Sequence, residues 1–176
     1  MKGLKLEHVL LEPLQQRWVT TEPAMNHAQL WEQSLSLAAG LQARGIRHLA
    51  VHLEDAGLLA IALLGAWRAG VGVLLPADLQ PQTRQRWDDV VDAWLTEPAD
   101  LQALYQAPLG AAALDLDTCQ LSLCTSGSSG EPKRIDKSLR QLANEVEALE
   151  TLWGPDLNDA CIIGSVATQH IYGLLF

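Results

Sequence analysis

Apolar residues along the chain follow two rhythms. Over 27–44 the set Leu30, Trp31, Leu35, Ala38 and Leu41 recurs at helical spacing. Asn26, with Gln29 three residues on, has the form of a helix-capping pair, and Gly45 is a plausible stop. Residues 46–52 then read as a strand. Asp55 is placed to cap a second helix that runs to about Ala69. That helix is apolar nearly all round (Leu58, Leu59, Ile61, Leu63, Leu64 and Trp67), so it is expected to be covered on more than one side. Gly65 inside it would allow a neighbour to pack closely. Gly70 ends it, and 71–75 reads as a buried strand. Strand, helix and strand joined by short connections form the βαβ unit of a parallel sheet, so the fold class is α/β: a layered sheet with flanking helices.

The remaining segments are read the same way. Residues 1–21 alternate weakly through Leu4, Leu6, Val9, Leu10, Leu11 and Leu14, which suggests a short amphipathic piece or strand anchored by Trp18 and Val19. Residues 76–86 form a polar connection, with 85–87 already helical. A strand is expected over 90–95 despite Asp92, and a short helix over 97–105, where Pro98 suits a first turn. Residues 108–117 read as a loop or edge strand, and 121–124 as a strand. Ser138 with Gln141 looks like a capping box, Asp136 being a competing cap. The helix beyond carries Leu139, Leu142, Val146 and Leu149 on one stripe and ends at Gly154-Pro155. A further strand is read over 160–166.

Candidate chemistry concentrates where the 121–124 strand ends. Thr125-Ser126-Gly127-Ser128-Ser129-Gly130-Glu131-Pro132-Lys133 follows it directly. Gly127 and Gly130 permit backbone angles that allow several N–H groups to face one point, an anion-binding nest. The hydroxyls of Thr125, Ser126, Ser128 and Ser129 add donors, and Lys133 adds a positive charge suited to phosphate. The order is neither the P-loop, which needs Gly-Lys-Ser/Thr, nor the dinucleotide fingerprint, whose first glycine would fall at Thr125. The plain alternative is a solvent-facing Ser/Gly loop.

This stretch, from Thr125 to Lys133, resembles the phosphate-binding signature of the adenylate-forming enzymes: the acyl- and aryl-CoA synthetases, luciferases and adenylation domains. Two other stretches are similar to the same family. Residues 59–76 look like its helix, Ala-Gly turn and strand ending in proline, and Gln169-His170-Ile171-Tyr172-Gly173 looks like its His-x-x-Gly motif. The resemblance runs from about Asn26 onward. It implies that 1–176 is the N-terminal part of the large AMP-binding domain. It implies further that Thr125, Ser126, Gly127, Ser128, Ser129 and Gly130 wrap the β- and γ-phosphates of ATP with Mg²⁺, that Lys133 closes the loop, and that His170 lines or gates the acyl pocket and the approach of the thiol. The reaction implied is activation of a small carboxylic acid to an acyl-adenylate, with CoA or the phosphopantetheine of an acyl carrier protein as acceptor. The short spacing from Pro76 to Thr125 suggests a compact member, one that loads an acyl or aryl acid onto a carrier protein. The family's aromatic-Gly-x-Thr-Glu motif, its ribose-binding aspartate and the lysine of its small mobile domain are absent from this sequence. The apolar end at Leu174-Leu175-Phe176 likewise reads as a point where a longer chain continues. This piece alone is therefore expected to be inactive.

Composition narrows the alternatives. At 176 residues and 48% apolar, one folded domain with a sizeable core is expected. A formal charge of −9 disfavours nucleic-acid backbones and anionic membranes. The longest apolar run, 57–67, is too short to span a bilayer. No metal-ligand spacing is found among Cys119, Cys124 and Cys161 or the five histidines. Asp88, Asp89 and Asp92 lack the alternation of a calcium loop and read as a solvated acidic face. Buried thiols in a reducing cytoplasm are expected, Cys124 among them. Trp67, Trp87, Trp94 and Trp153 read as core. The competing functional class is a non-catalytic nucleotide-binding or protein-interaction module of the same fold.

Overall fold

The computed structural model describes residues 4–125 and 133–156. One turn of 3-10 helix, Leu6–His8, is followed by a hairpin of β1 (Trp18–Thr21) and β2 (Ala24–Asn26). Then come α1 (His27–Ala43), β3 (His48–Val51), α2 (Ala56–Arg68), β4 (Gly72–Leu75), α3 (Pro81–Trp87), β5 (Ala93–Leu95), α4 (Pro98–Gln102), β6 (Gln120–Thr125), β7 (Lys133–Ser138) and α5 (Leu139–Trp153). Strands β3 to β7 form one mixed sheet in the order β5-β3-β4-β6-β7. The first four in that order are parallel, and β7 runs antiparallel to β6.

The expected caps are present. Asn26 accepts from the Gln29 amide and Gln29 accepts from the Asn26 amide, both at 2.9 Å, closing the capping box of α1. Asp55 accepts from the Leu58 amide at 2.8 Å and starts α2. Gly45 and Gly70, with φ of 67° and 75°, end the two helices in the left-handed region that side chains avoid. Ser138, rather than Asp136, caps α5.

Helices α1 and α2 pack on one face of the sheet, and the αα contact depends on missing side chains. A Cβ built on Gly65 would meet Leu37 and the Ser34 carbonyl at 2.9 Å. One built on Gly40 would meet the Leu104 carbonyl oxygen at 1.7 Å, so the backbone after α4 crosses α1 in contact. Beneath these helices lie Leu49, Val51, Val73, Leu75, Leu95, Leu121 and Leu123, all buried and part of one continuous core. Each such side chain contributes roughly 1.5–3 kcal/mol by leaving water. The other face carries a small cluster of Ala50, Leu74 and Cys124, partly covered by Trp87, Val91 and Trp94.

Several expectations are corrected. The strand expected over 90–95 begins only at Ala93, because Asp92 turns its carboxylate onto the Arg47 and His48 amides, each at 2.8 Å. The polar connection after Pro76 becomes helical at Pro81, where proline fits a first turn. The 97–105 helix is shorter, Pro98–Gln102. Trp18 and Val19 do not anchor the N-terminal piece: Trp18 is 65% exposed, and the anchor is Leu10, fully buried, with its carbonyl accepting from the Trp31 indole at 3.0 Å. Trp153 is not core but exposed at the end of α5. Residues 133–138 form a strand that the pattern Lys-Arg-Ile-Asp-Lys-Ser did not announce. The strand read over 160–166 lies outside the described residues.

Candidate functional site: the carboxyl edge of the sheet

In a parallel sheet all strands end at one edge, and ligands settle there, at the point where successive connections leave to opposite faces. Here α2, which follows β3, packs on the main core, whereas Trp87 of α3, which follows β4, packs on the small cluster across the sheet. The switch therefore falls between β3 and β4. His52 leaves the end of β3, its amide bonded to the Leu95 carbonyl at 2.9 Å. Asp78 follows β4 and accepts from the Thr83 hydroxyl and from the Gln80 amide. These two bonds, with a small contribution from His52, hold the Asp78 carboxyl below its usual range.

Strand β6 lies beside β4, and its end belongs to the same edge. Its register with β7 sets Thr125 directly opposite Lys133. The candidate loop is thus the connection of a β-hairpin, and its two ends are pinned by the ladder. Thr125 ends β6 and Lys133 opens β7, exposed to solvent. Ser126, Gly127, Ser128, Ser129 and Gly130 lie outside the described residues, as do His170, Tyr172 and Phe176. The structure therefore brings together the two ends of the predicted site, and the strand that delivers it is buried at Leu121, Leu123 and Cys124.

Around that end the two sheet faces differ in chemistry. Lys133 shares its face with Ile135 and Leu123. On the other face Cys124 stands opposite Arg134, and Ser122 opposite Asp136. The buried Ser122 hydroxyl donates to Asp136 Oδ1 at 2.6 Å, and Arg134 Nε donates to the same oxygen at 2.6 Å. Both bonds, the serine's the larger, hold the Asp136 carboxyl below its ordinary range. Burial pushes the Cys124 thiol up, opposed by the charges of Arg134 and Arg86. Cys124 is therefore a buried, inert thiol, as its apolar neighbours suggest. Two of the three clustered acids have ordinary tasks: Asp88 accepts from the Trp94 indole at 3.0 Å, and Asp92 accepts from the Arg47 and His48 amides. Sequence reasoning did not single out His52 and Asp78 at this edge. The only sequence signal for them was position, one or a few residues beyond a strand end, which becomes visible once the strand order is known.

No family model matches the chain, and no curated protein does. Solved structures do. The architecture, an α/β fold with a mixed sheet and flanking helices, is shared with them. Among the structures it is similar to are o-succinylbenzoate coenzyme A synthetase from Bacillus subtilis in complex with AMP (TM-score 0.61, 19% identity, 86% of this chain and 46% of that one) and the inhibitor-bound N-terminal domain of FACL13 from Mycobacterium tuberculosis (0.65, 16%, 88% and 47%). A third is VinN (0.63, 16%, 86% and 48%). The chain thus spans about half the length of these structures, or less.

Proposed function

We propose that this chain is the front part of an enzyme that activates a carboxylic acid with ATP and passes the acyl group to a thiol. The observation that carries this reading is the pairing of Thr125 with Lys133 at the carboxyl edge of a parallel sheet. That pairing makes a Ser/Gly segment the connection of a hairpin at the edge where such sheets bind ligands. The neighbours point the same way: the Bacillus subtilis synthetase has been solved with AMP, with ATP and magnesium ion, and with an acyl-adenylate.

In this reading the segment 125–130 and Lys133 bind the β- and γ-phosphates of the nucleotide, which arrives as its Mg²⁺ complex. A carboxylate oxygen of the acid attacks the α-phosphorus, the bond to the β-bridging oxygen breaks, and pyrophosphate leaves with that electron pair. The negative charge that builds on the leaving oxygens is met by N–H groups, hydroxyls and the lysine ammonium, donors fixed before the reaction begins. A thiol of CoA or of an acyl carrier protein then attacks the acyl carbonyl, losing its proton to solvent as AMP departs. His170 borders the acyl pocket and the path of that thiol.

Carboxylate-dependent exchange of labelled pyrophosphate into ATP by the full-length gene product tests the proposal. Exchange is expected with at least one class of acid, with Lys133→Ala and Gly127→Ala each lowering it by about 10²-fold, the cost typical of removing a donor to developing charge. Absence of exchange across fatty, hydroxy and aromatic acids would replace this reading with a non-catalytic module of the same fold.

A further inference from the structure

Residues 12–17 lead from the N-terminal arm, anchored by Leu10, to strand β1. Leu14 and Arg17 are half-buried and the other four residues are exposed, so apolar burial does little to fix this stretch. One residue of the body holds it. Nδ1 of His27, the first residue of α1, accepts from the Leu14 amide at 3.2 Å, and the His27 amide donates to the Arg17 carbonyl at 2.7 Å. Among the described residues these are the hydrogen bonds that tie 12–17 to the rest of the chain. A backbone N–H can only donate, so Nδ1 is the bare nitrogen of the ring and the proton sits on Nε2. A second proton has one place to go, Nδ1, and an imidazolium has no acceptor left. The Leu14 amide would then face another donor. Burial is the largest influence against that charge, since His27 is 3% exposed. Arg17 adds to it. Among Glu7, His8, Glu12 and Arg17 of the arm, Glu22 of the hairpin and Glu32 of α1, Arg17 is the charged group that bears on the imidazole. The Val9 backbone opposes both influences. Arg17 belongs to the held segment, so its repulsion of an imidazolium pushes on that segment itself.

We infer that His27 is a pH-operated clasp: its neutral imidazole pins residues 12–17 to the start of α1, and its protonation releases them while the sheet and its helices stay folded. The arm before the clasp has its own ties. The Leu10 carbonyl accepts from the Trp31 indole at 3.0 Å, and the Glu7 carbonyl accepts from the Leu114 amide at 2.9 Å. Neither bond involves His27, so the opening is local. Its direction follows from the state that is held. The clasped segment favours the neutral ring, so release comes as the pH falls below 6.5, the ordinary histidine value. Release bares Leu14 and lengthens the free lead into the β1–β2 hairpin.

Hydrogen exchange of the full-length gene product at about pH 7.5 and 5.5 tests this, read by mass spectrometry on peptides spanning 12–17 and corrected for the intrinsic effect of pH. The segment is expected to exchange about three- to tenfold faster at the lower pH, the loss of one net hydrogen bond. Peptides from α1, β3 and β4 keep their protection. In His27→Asn, Oδ1 stands where Nδ1 did and accepts at either pH, so the segment stays protected at both. His27→Ala exchanges fast at both. Equal protection of 12–17 at the two pH values in the parent overturns the clasp, whether or not either variant folds. So does protection lost from α1 and the sheet together with 12–17, because the whole fold then opens. A His27→Asn segment that still loosens in acid, or a His27→Ala segment that stays protected at the higher pH, overturns it too, because another group then holds the stretch.

Discussion

The two faces of the sheet are built on opposite principles. Under α1 and α2 the inward positions are apolar apart from the buried His27 and Ser34, and neighbouring segments approach so closely that Gly40 and Gly65 have no room for a methyl group. Across the sheet the apolar cluster is small, and beside it Ser122, Asp136 and Arg134 are joined by hydrogen bonds, the two charged groups exposed to water. The first face sets the fold. The second, freed from that task, holds charge beside the strand end where the loop begins. A rigid scaffold on one side allows unsatisfied chemistry on the other.

Four measurements would break or sharpen that contrast. The largest effect is expected for Gly40→Ala, whose Cβ would overlap the Leu104 carbonyl. Because backbone rather than a flexible side chain must move, a loss of about 3 kcal/mol or more is expected in urea unfolding. Asp92→Ala should cost about 1–2 kcal/mol by the same measurement, since two strand-end amides lose their shared acceptor. Arg134→Ala should cost less than about 1 kcal/mol, because its partner Asp136 is exposed and the pair is screened. If Arg134→Ala destabilised the chain as much as Gly40→Ala, the division of labour between the faces would be wrong.

The smallest effect is a pH dependence centred on the N-terminal arm. His27 is buried, its Nδ1 accepts from the Leu14 amide at 3.2 Å, and its Nε2 has no hydrogen-bond partner among the described residues. Burial, aided by the nearby Arg17 and opposed by the Val9 backbone, lowers its pKa from the ordinary histidine value of 6.5. The unfolded chain therefore binds the extra proton first. This contribution to stability is complete above pH 6.5 and is lost as the pH falls below it. Unfolding midpoints at pH 7.5 and 5.5 should differ by less in His27→Gln than in the parent.

Most of the fold was legible because its signals are local. The Asn26–Gln29 and Ser138–Gln141 boxes, the Asp55 cap and the stops at Gly45 and Gly70 each depend on residues within one turn. The apolar 71–75 and 121–124 runs read as strands because a central strand is buried on both faces. Strand β7 was illegible for the converse reason. Only its pairing with β6 makes it extended, and its exposed Lys, Arg and Asp carry no apolar alternation. Trp18 and Trp153 misled because aromatic size suggests burial, whereas both are exposed, one at the start of β1 and the other at the end of α5. The candidate site was half legible: composition picked out the segment after Thr125, but the pairing of its two ends at the carboxyl edge of a parallel sheet follows only from strand order and register.

The register of β6 with β7 has a mechanical consequence. Residues directly opposite in an antiparallel ladder sit about 4.5–5.5 Å apart, so the seven residues between Thr125 and Lys133 leave and return through a narrow gate. Folding has already met the entropy of closing that segment, and a ligand need not meet it again. Loosening the ladder, for instance with Ile135→Gly, should therefore weaken the phosphate binding proposed for this segment without removing a single donor.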